Sequence, residues 1–430
     1  MKRPTVENLK DYLQQEVQLE GWVYNIRSSG SVQFILLRDG TGLVQAVASR
    51  QALSPESFAL AKRLTQEASL RLRGRVREDA RSPGGVELEV SDLELVGPSQ
   101  DYPITLKEHG TAFLMEHRHL WLRSLRQTAI LRVRATIVKA MRDYMDGQGF
   151  TLVDAPILTP AAVEGTTTLF PVEYFNETAY LSQSGQLYNE ATCMALERVY
   201  CFGPAFRAEK SNTRRHLTEL WMMEPEAAFF TYEDNIRLQE GLICSIVEQV
   251  LTHRSRELES LERNSDALRK VTAPFPRITY DDALQMLAEG GLELPWGEDL
   301  GAPQEAFLCG RYEKPVFLTH FPVACKAFYM KPDPQRLEVT LSADLLAPEG
   351  YGEIIGGSER IDSLELLEER IRQHNLPMEP YRWYLDLRRF GPVPHAGFGI
   401  GVERTVAWIC GLEHIRESIP FPRMLEKMYP

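Results

Sequence analysis

Between positions 207 and 216 the chain sets Arg207, Lys210, Arg214, Arg215 and His216 around a central Ser211-Asn212-Thr213. Guanidinium groups fixed on or beside strands suit bidentate capture of phosphate oxygens. A second set of candidates lies far along the chain. Glu353 and Arg360 fall in Tyr351-Gly352-Glu353-Ile354-Ile355-Gly356-Gly357-Ser358-Glu359-Arg360, and Glu403-Arg404 close Gly397-Phe398-Gly399-Ile400-Gly401-Val402-Glu403-Arg404. Glu353 on a strand can hold Mg²⁺ through its carboxylate. Gly399 and Gly401 let backbone approach a flat ligand closely, and Arg404 can lie over a base by cation–π stacking. Together these groups can neutralise a polyphosphate and stabilise charge developing at an α-phosphorus, which is what adenylate formation requires. Taken singly, each is weak. The cationic stretch also reads as a solvated loop, and no Gly-Lys-Ser/Thr phosphate loop occurs anywhere.

The elements that must position these residues are legible around them. Val199-Tyr200-Cys201-Phe202 and Leu220-Trp221-Met222-Met223 read as two strands flanking the cationic loop. Ile130, Val133, Ile137, Met141 and Tyr144 recur at helical spacing over 128–145, and Gly147 and Gly149 close that helix. A strand-like Phe150-Thr151-Leu152-Val153 then meets Pro156, which fits only a sheet edge or an interface. A second amphipathic helix is predicted over 233–258, and a helix from Thr405 to Cys410 follows Arg404. Residues 264–345, rich in proline and glycine and without strong motifs, read as inserted material covering the core.

Upstream, residues 17–96 read as five short strands with one helical stretch near Pro55 to Leu64. That pattern fits a small barrel of the OB type or another small β-barrel. Residues 97–117, with Pro98 and Pro103, read as a connector. The 430 residues suffice for two or three domains, and 43% hydrophobic with 25% charged residues is ordinary for a globular chain. No apolar run is long enough for a membrane span, and Met1 to Glu7 leads into a polar segment rather than a signal sequence. Six scattered cysteines without paired spacing argue against a structural zinc site and fit a reducing cytoplasm. A net charge of −12 argues against gripping nucleic acid, DNA included, by bulk charge. Local basic stripes remain: Arg71, Arg73, Arg75 and Arg77, and the arginines of 118–142. The first stripe is either a polyanion contact or a solvated strand face. The second either contacts a polyanion or pairs with acids across an interface between two copies of the chain, the reading preferred here.

Phe206-Arg207-x-Glu209 with Arg215-His216-Leu217 resembles the second signature motif of class II aminoacyl-tRNA synthetases, and Gly399-x-Gly401-x-Glu403-Arg404 resembles the third. The helix of 128–149 leading to Pro156 resembles the first, which in that family builds the dimer interface. With the N-terminal barrel, this order matches the aspartate, asparagine and lysine subgroup over nearly the whole chain. The resemblance implies an α+β fold: an OB-fold anticodon-binding barrel over 1–100, a hinge over 101–117, and a catalytic domain over 118–430 built on an antiparallel sheet flanked by helices. It assigns Arg207 to the α-phosphate of ATP, Glu209 to the adenine side, and Arg215, His216 and Leu217 to the outer-phosphate region. Gly401 and Arg404 go to adenine and the γ-phosphate, with Glu353 on Mg²⁺ and ATP; Arg207, Glu353 and Arg404 form the catalytic set. Glu164, Gln186, Glu224 and Arg360 match positions lining the amino-acid pocket. On the barrel, the resemblance implies anticodon reading, with Phe34 stacking on an unpaired base beside Arg27 and Gln45; a core strand residue is the plain alternative for Phe34.

The choice among amino acids turns on charge. Aspartyl members carry a lysine where this chain has Asn189, and tend to carry aspartate where it has Glu224. One fewer cation and a longer acid suit a neutral amide: Arg360 donating to its oxygen, Glu224 accepting from its NH₂ group, and aspartate repelled. Ile419-Pro420-Phe421-Pro422-Arg423 also resembles the ending of the asparagine-specific members. The expectation is ATP-dependent charging of tRNA(Asn) with L-asparagine by a cytoplasmic homodimer formed through 128–156, with neither membrane nor DNA as a partner. An aspartate-charging enzyme, an ammonia-dependent asparagine synthetase lacking such a barrel, and a non-catalytic tRNA-binding paralogue are the competing readings. Two positions depart from the subgroup: Leu220 where many relatives place phenylalanine against adenine, and Gly356 where aspartyl relatives place a metal-binding serine.

Overall fold

In the computed structural model the described residues are 3–163 and 168–430, and they fall into two compact units divided between His117 and Arg118. The first unit is built on a closed barrel of β1 (Glu16–Ser29), β2 (Val32–Arg38), β3 (Leu43–Ser49), β4 (Ser69–Glu78) and β5 (Val86–Gly97), in the order β1-β2-β3-β5-β4. Alternation drives it: Ile35 and Leu37 on β2, Val44, Ala46 and Ala48 on β3, and Leu70, Leu72 and Val76 on β4 all point inward. A helix, α1 (Pro55–Ala61), is started by Ser54, whose side chain accepts from the Ser57 N–H, with Pro55 in its first turn. Phe58 and Ala61 bury against the barrel core. β1 runs six residues past the predicted Val23, as far as Ser29. Its extension pairs with β2, so that Arg27 stands opposite Phe34.

The second unit centres on an eight-stranded sheet. In chain order its strands are β6 (Thr151–Leu152), β7 (Arg198–Phe206), β8 (Glu219–Ala228), β9 (Arg277–Thr279), β10 (Val316–Thr319), β11 (Ser342–Ala347), β12 (Gly352–Glu359) and β13 (His395–Gly401). They lie in the order β9-β10-β11-β12-β13-β8-β7-β6. The six central strands are antiparallel as expected, but both outer pairs, β9 with β10 and β6 with β7, are parallel. The region 264–345 therefore does more than cover the core, since it supplies β9, β10 and β11 to the sheet itself.

Helices pack the sheet. α2 (Leu125–Gly147) buries Ile130, Val133, Ile137 and Met141, the residues of the predicted stripe. It shares a core with Ile236, Leu242, Ile243 and Ile246 of a later helix, Tyr232–His253. Each such side chain contributes about 1.5–3 kcal/mol by leaving water. That later helix stops five residues short of the expected 258. Arg254 leaves helical geometry with φ −131°, its Nε donating to Thr136 of α2 at 2.7 Å, and a separate turn of helix begins at Ser255. Tertiary pairing there overrides the local pattern. Among the described residues no helix is long and apolar enough to cross a membrane.

Four arginines of the basic stripe of 118–142 bond to groups within the chain. Arg118 is fully buried and donates to the carbonyls of Ile419 and Pro420, both at 2.8 Å. Arg126 pairs with Glu417, Arg132 with Glu257 and Arg134 with Glu403. These arginines hold the unit's own C-terminal segment and helices in place.

Candidate active site

The cationic loop is held by a nine-pair antiparallel ladder between β7 and β8, from Arg198 opposite Ala227 to Phe206 opposite Glu219. Arg207 directly follows β7: its N–H donates to the Thr218 carbonyl at 2.9 Å, and its guanidinium donates to the Gln183 carbonyl. Arg207 is thus pinned at the root of the loop, while Lys210 and Arg214 stand exposed farther along it. Across the sheet, register places Asp344 of β11, Gly356 of β12 and Gly399 of β13 in one row. Gly401 is the N-cap of α3 (Val402–Cys410), which starts three residues earlier than predicted and carries Arg404 in its first turn.

These elements enclose a cavity of about 680 Å³. Arg207, Glu209, Arg215, His216, Leu217, Glu353, Gly401 and Arg404 all line it, as do Gln186 and Glu224. Of the other two amino-acid positions, Glu164 lies outside the described residues. Arg360 is 2% exposed and sits behind the lining: its Nε and Nη2 donate to Glu226 at 2.9–3.3 Å, and its Nη1 donates to Ser358 at 2.7 Å. Tyr329, whose ring centroid lies 5.2 Å from the Arg360 guanidinium carbon, is a lining residue.

The electrostatics divide the cavity into two ends. At one, Glu224 accepts from the Gly185 N–H at 2.9 Å and from the Ser184 hydroxyl. Asn189 is 1% exposed; it does not line the cavity but donates to the Glu224 backbone carbonyl at 2.7 Å, fixing the strand that carries that acid. At the other end, Arg404 Nη1 donates to the Glu353 carboxylate and carbonyl, both at 2.9 Å. Burial works to raise the Glu353 pKa, but Arg404, Lys326 and Arg215 outweigh it and hold the carboxyl below its ordinary range. Burial lowers the His216 pKa, with Arg404 and Arg207 adding to that, so the imidazole is neutral near pH 7.

Among the lining residues that escaped the sequence reading are three charged ones, Lys326, Asp344 and Asp299. Lys326 Nζ donates to Asp344 at 2.6 Å and stands 3.7 Å from the Phe321 ring centroid. Burial pushes the Asp344 carboxyl up to about 7, against the opposing pull of Lys326. The signal was present in the sequence. Lys326 is a lone cation in Val323-Ala324-Cys325-Lys326-Ala327-Phe328-Tyr329, and Asp344 a lone acid in Ser342-Ala343-Asp344-Leu345-Leu346. Isolated charges in apolar runs are seldom buried without a partner or a task.

The donor set fits a hard divalent cation. A Cβ at Gly356 would stand 3.0 Å from Glu353 Oε1 and 3.5 Å from Asp344 Oδ1, so the missing side chain leaves a small cradle between two carboxylates. Carboxylate oxygens around such a space are ligands of the type Mg²⁺ takes. Glu190, Glu226 and His395 also approach one another closely, but all three are 0–1% exposed and none lines the cavity, and Arg388 and Arg360 hold the two carboxylates. That cluster is a buried ion network.

On the barrel, Phe34 is not a core residue. It is partly exposed on the outer face, with the Arg27 guanidinium 5.2 Å from its ring centroid. Gln45 shares that face on β3 and donates weakly to Ser82 and Glu87, both at 3.2 Å. Arg27 and Phe34 are in contact, and Gln45 stands opposite Leu36, two positions along β2 from Phe34. On β4, Arg71 pairs with Glu20 and Glu94, Arg77 pairs with Glu89, and Arg73 donates to Gln18, as on a solvated strand face.

Comparison with known proteins decides the family. Residues 111–425 match the tRNA synthetases class II (D, K and N), and residues 17–96 match the OB-fold nucleic acid binding domain. The asparagine–tRNA ligase of Pelotomaculum thermopropionicum is 59% identical over 430 residues, covering all of both chains. The chain belongs to the class II tRNA synthetases of the aspartate, lysine and asparagine group. Within that synthetase group it also matches the asparagine–tRNA ligase of Desulforamulus reducens at 57% identity over the full length of both. The asparaginyl-tRNA synthetase of Pyrococcus horikoshii, solved with asparaginyl-adenylate, is 42% identical and superposes with a TM-score of 0.97 over all of both chains. The synthetase cavity described above is therefore the place to read the reaction.

Proposed function

We propose that this chain is an asparagine–tRNA ligase whose cavity forms asparaginyl-adenylate from asparagine and ATP and then charges tRNA(Asn). The observation that carries this reading is the arrangement of one cavity: Arg215 and Arg404 beside Glu353 at one end, Glu224 at the other, and Arg207 held on the Gln183 carbonyl next to the Ser184 and Gly185 that hold Glu224. The asparagine carboxylate attacks the α-phosphorus in line, and pyrophosphate leaves. The terminal ribose hydroxyl of the tRNA then attacks the mixed anhydride and releases AMP. No side chain forms a covalent bond. Arg207 neutralises the α-phosphate as charge develops, Arg215 and neutral His216 meet the outer phosphates, and Arg404 with Glu209 brackets adenine. Leu220, a lining residue, gives adenine an apolar contact without a π face.

Glu224, held by Ser184 and Gly185, accepts from the substrate amide and repels a carboxylate. Arg360, fixed on Glu226 one layer behind the lining, supplies positive charge toward the amide oxygen. Gln186 and Glu164 orient the α-amino end. Bound Mg²⁺, held by Glu353 and Asp344, would neutralise phosphate charge. On the barrel, Phe34, Arg27 and Gln45 take an anticodon base. The enzyme works in the cytoplasm as a homodimer through 128–156, where Leu152, Ile157 and Leu158 are exposed apolar residues at or next to the segment's end.

The test is ATP–pyrophosphate exchange. With asparagine the chain exchanges label, and Arg207→Ala lowers the rate by about 10²–10³-fold, the usual loss when one preorganised transition-state donor is removed. Near-normal exchange by Arg207→Ala would sink the assignment.

A further inference from the structure

We infer that Glu305 is a positioning residue for ATP: it fixes Arg215 against the strand that carries Glu353. The inference rests on the adenylate-forming reading above and deepens it, because it gives the region of 264–345 a part in nucleotide binding.

Glu305 belongs to the short helix Ala302–Cys309, far in sequence from both partners. Its Oε2 accepts from Arg215 Nη2 at 2.5 Å and, at the same time, from the backbone N–H of Glu353 at 2.8 Å. One carboxylate oxygen thus ties the arginine of the cationic loop to the start of strand β12. The side chains of this pair are only 22% and 13% exposed, so solvent screens the contact little. Arg215 Nη1 is buried and has no hydrogen-bond partner among the described residues, while Arg215 itself lines the cavity. A guanidinium anchored by one nitrogen with another left over is set to hold an anion.

The backbone is shaped around this contact. Gly352 has φ +71°, and a Cβ there would lie 2.3 Å from Glu305 Oε2 and 2.6 Å from both Arg215 Nη atoms. Glycine is required there both for its conformation and for the space that the ion pair occupies. A long arginine on a loop would otherwise lose several rotors on meeting phosphate. Anchoring it beforehand lowers that cost, which should appear as ATP affinity rather than as amino-acid affinity.

The experiment compares Glu305→Ala, Glu305→Gln, Arg215→Ala and the double variant Glu305→Ala/Arg215→Ala in the full chain. ATP affinity is measured by calorimetry, and KM for ATP and for asparagine by pyrophosphate exchange. A charge-assisted bond of this kind predicts a loss of about tenfold in ATP affinity for Glu305→Ala, with KM for asparagine unchanged. Glu305→Gln, whose amide oxygen still accepts both hydrogen bonds, keeps most of the affinity. Adding Glu305→Ala to Arg215→Ala costs nothing further. Unchanged ATP affinity in Glu305→Ala would overturn the proposal. So would tighter binding, which would mean that Glu305 competes with phosphate, or losses that add in the double variant. A wild-type chain that binds ATP but fails to exchange pyrophosphate would refute the assigned reaction instead, while the affinities still judge Glu305.

Discussion

Arg71 and Arg77 on the barrel, and Arg360 and Arg388 in the second unit, are all paired with carboxylates, yet they do different things. The barrel pairs stand in solvent with side chains 37–58% exposed. Arg388 pairs with Glu190 at 2.6 Å with both side chains at 0% exposure, and Arg360 pairs with Glu226 at 3% and 1%. Water screens the first kind and pays no structural attention to their loss. The second kind have given up hydration and depend on one another. In that network Glu190 also accepts from Tyr384 and from Gln186, and His395 lies 3.0 Å from it. Gln186 lines the cavity, so the buried network is also the scaffold of the amino-acid end. The lesson is that an arginine run in a sequence says little until burial is known.

The contrast can be broken most sharply at Glu190. Burial works to raise its pKa, but Arg388 and His395 keep it ionised. Glu190→Ala leaves Arg388 without its carboxylate and should cost about 3–5 kcal/mol in chemical denaturation. A cost below about 1 kcal/mol would place this pair with the surface ones. Phe34→Ala comes next. Loss of one base-stacking platform is worth about 1–3 kcal/mol, so KM for tRNA in charging should rise by roughly tenfold or more, and the effect should be absent from tRNA-independent exchange.

A smaller effect is expected at His414. Burial, with Arg416 and Arg214, lowers its pKa to about 4 from 6.5. Its neutral Nδ1 accepts from the Arg416 N–H at 3.1 Å. Between those two pH values the unfolded chain binds the extra proton, so stability falls as pH drops from about 6.5 toward 4. Melting curves across that window check this, and His414→Gln should flatten the dependence. The smallest effect belongs to Arg71→Ala, whose melting temperature and tRNA charging should match wild type within error. A clear fall in tRNA affinity would reinstate that strand face as a polyanion contact.

The parts legible in the sequence were those carried by contiguous patterns. The α2 stripe, the barrel alternation, and the strand–loop–strand around Arg207 each announce themselves within about twenty residues. Arg207, Arg215, Glu353 and Arg404 were found because their local motifs are dense. Lys326 and Asp344 stand out as lone charges in apolar runs, but neither they nor Glu305 show in sequence the partner on another strand or helix that gives them meaning. The Glu190–His395 contact joins residues 205 positions apart, beyond any local pattern. Arg360 shows the limit from the other side. Its motif pointed to substrate, while its bonds show that Glu226 and Ser358 hold it first.

The central claim is that Glu224 and the network behind it select a neutral amide. The most direct measurement is ATP–pyrophosphate exchange run side by side with asparagine and aspartate on the wild-type chain. The account predicts kcat/KM at least about a hundredfold higher for asparagine, as expected when a buried carboxylate faces the wrong charge. Equal exchange with both amino acids, or faster exchange with aspartate, would contradict it.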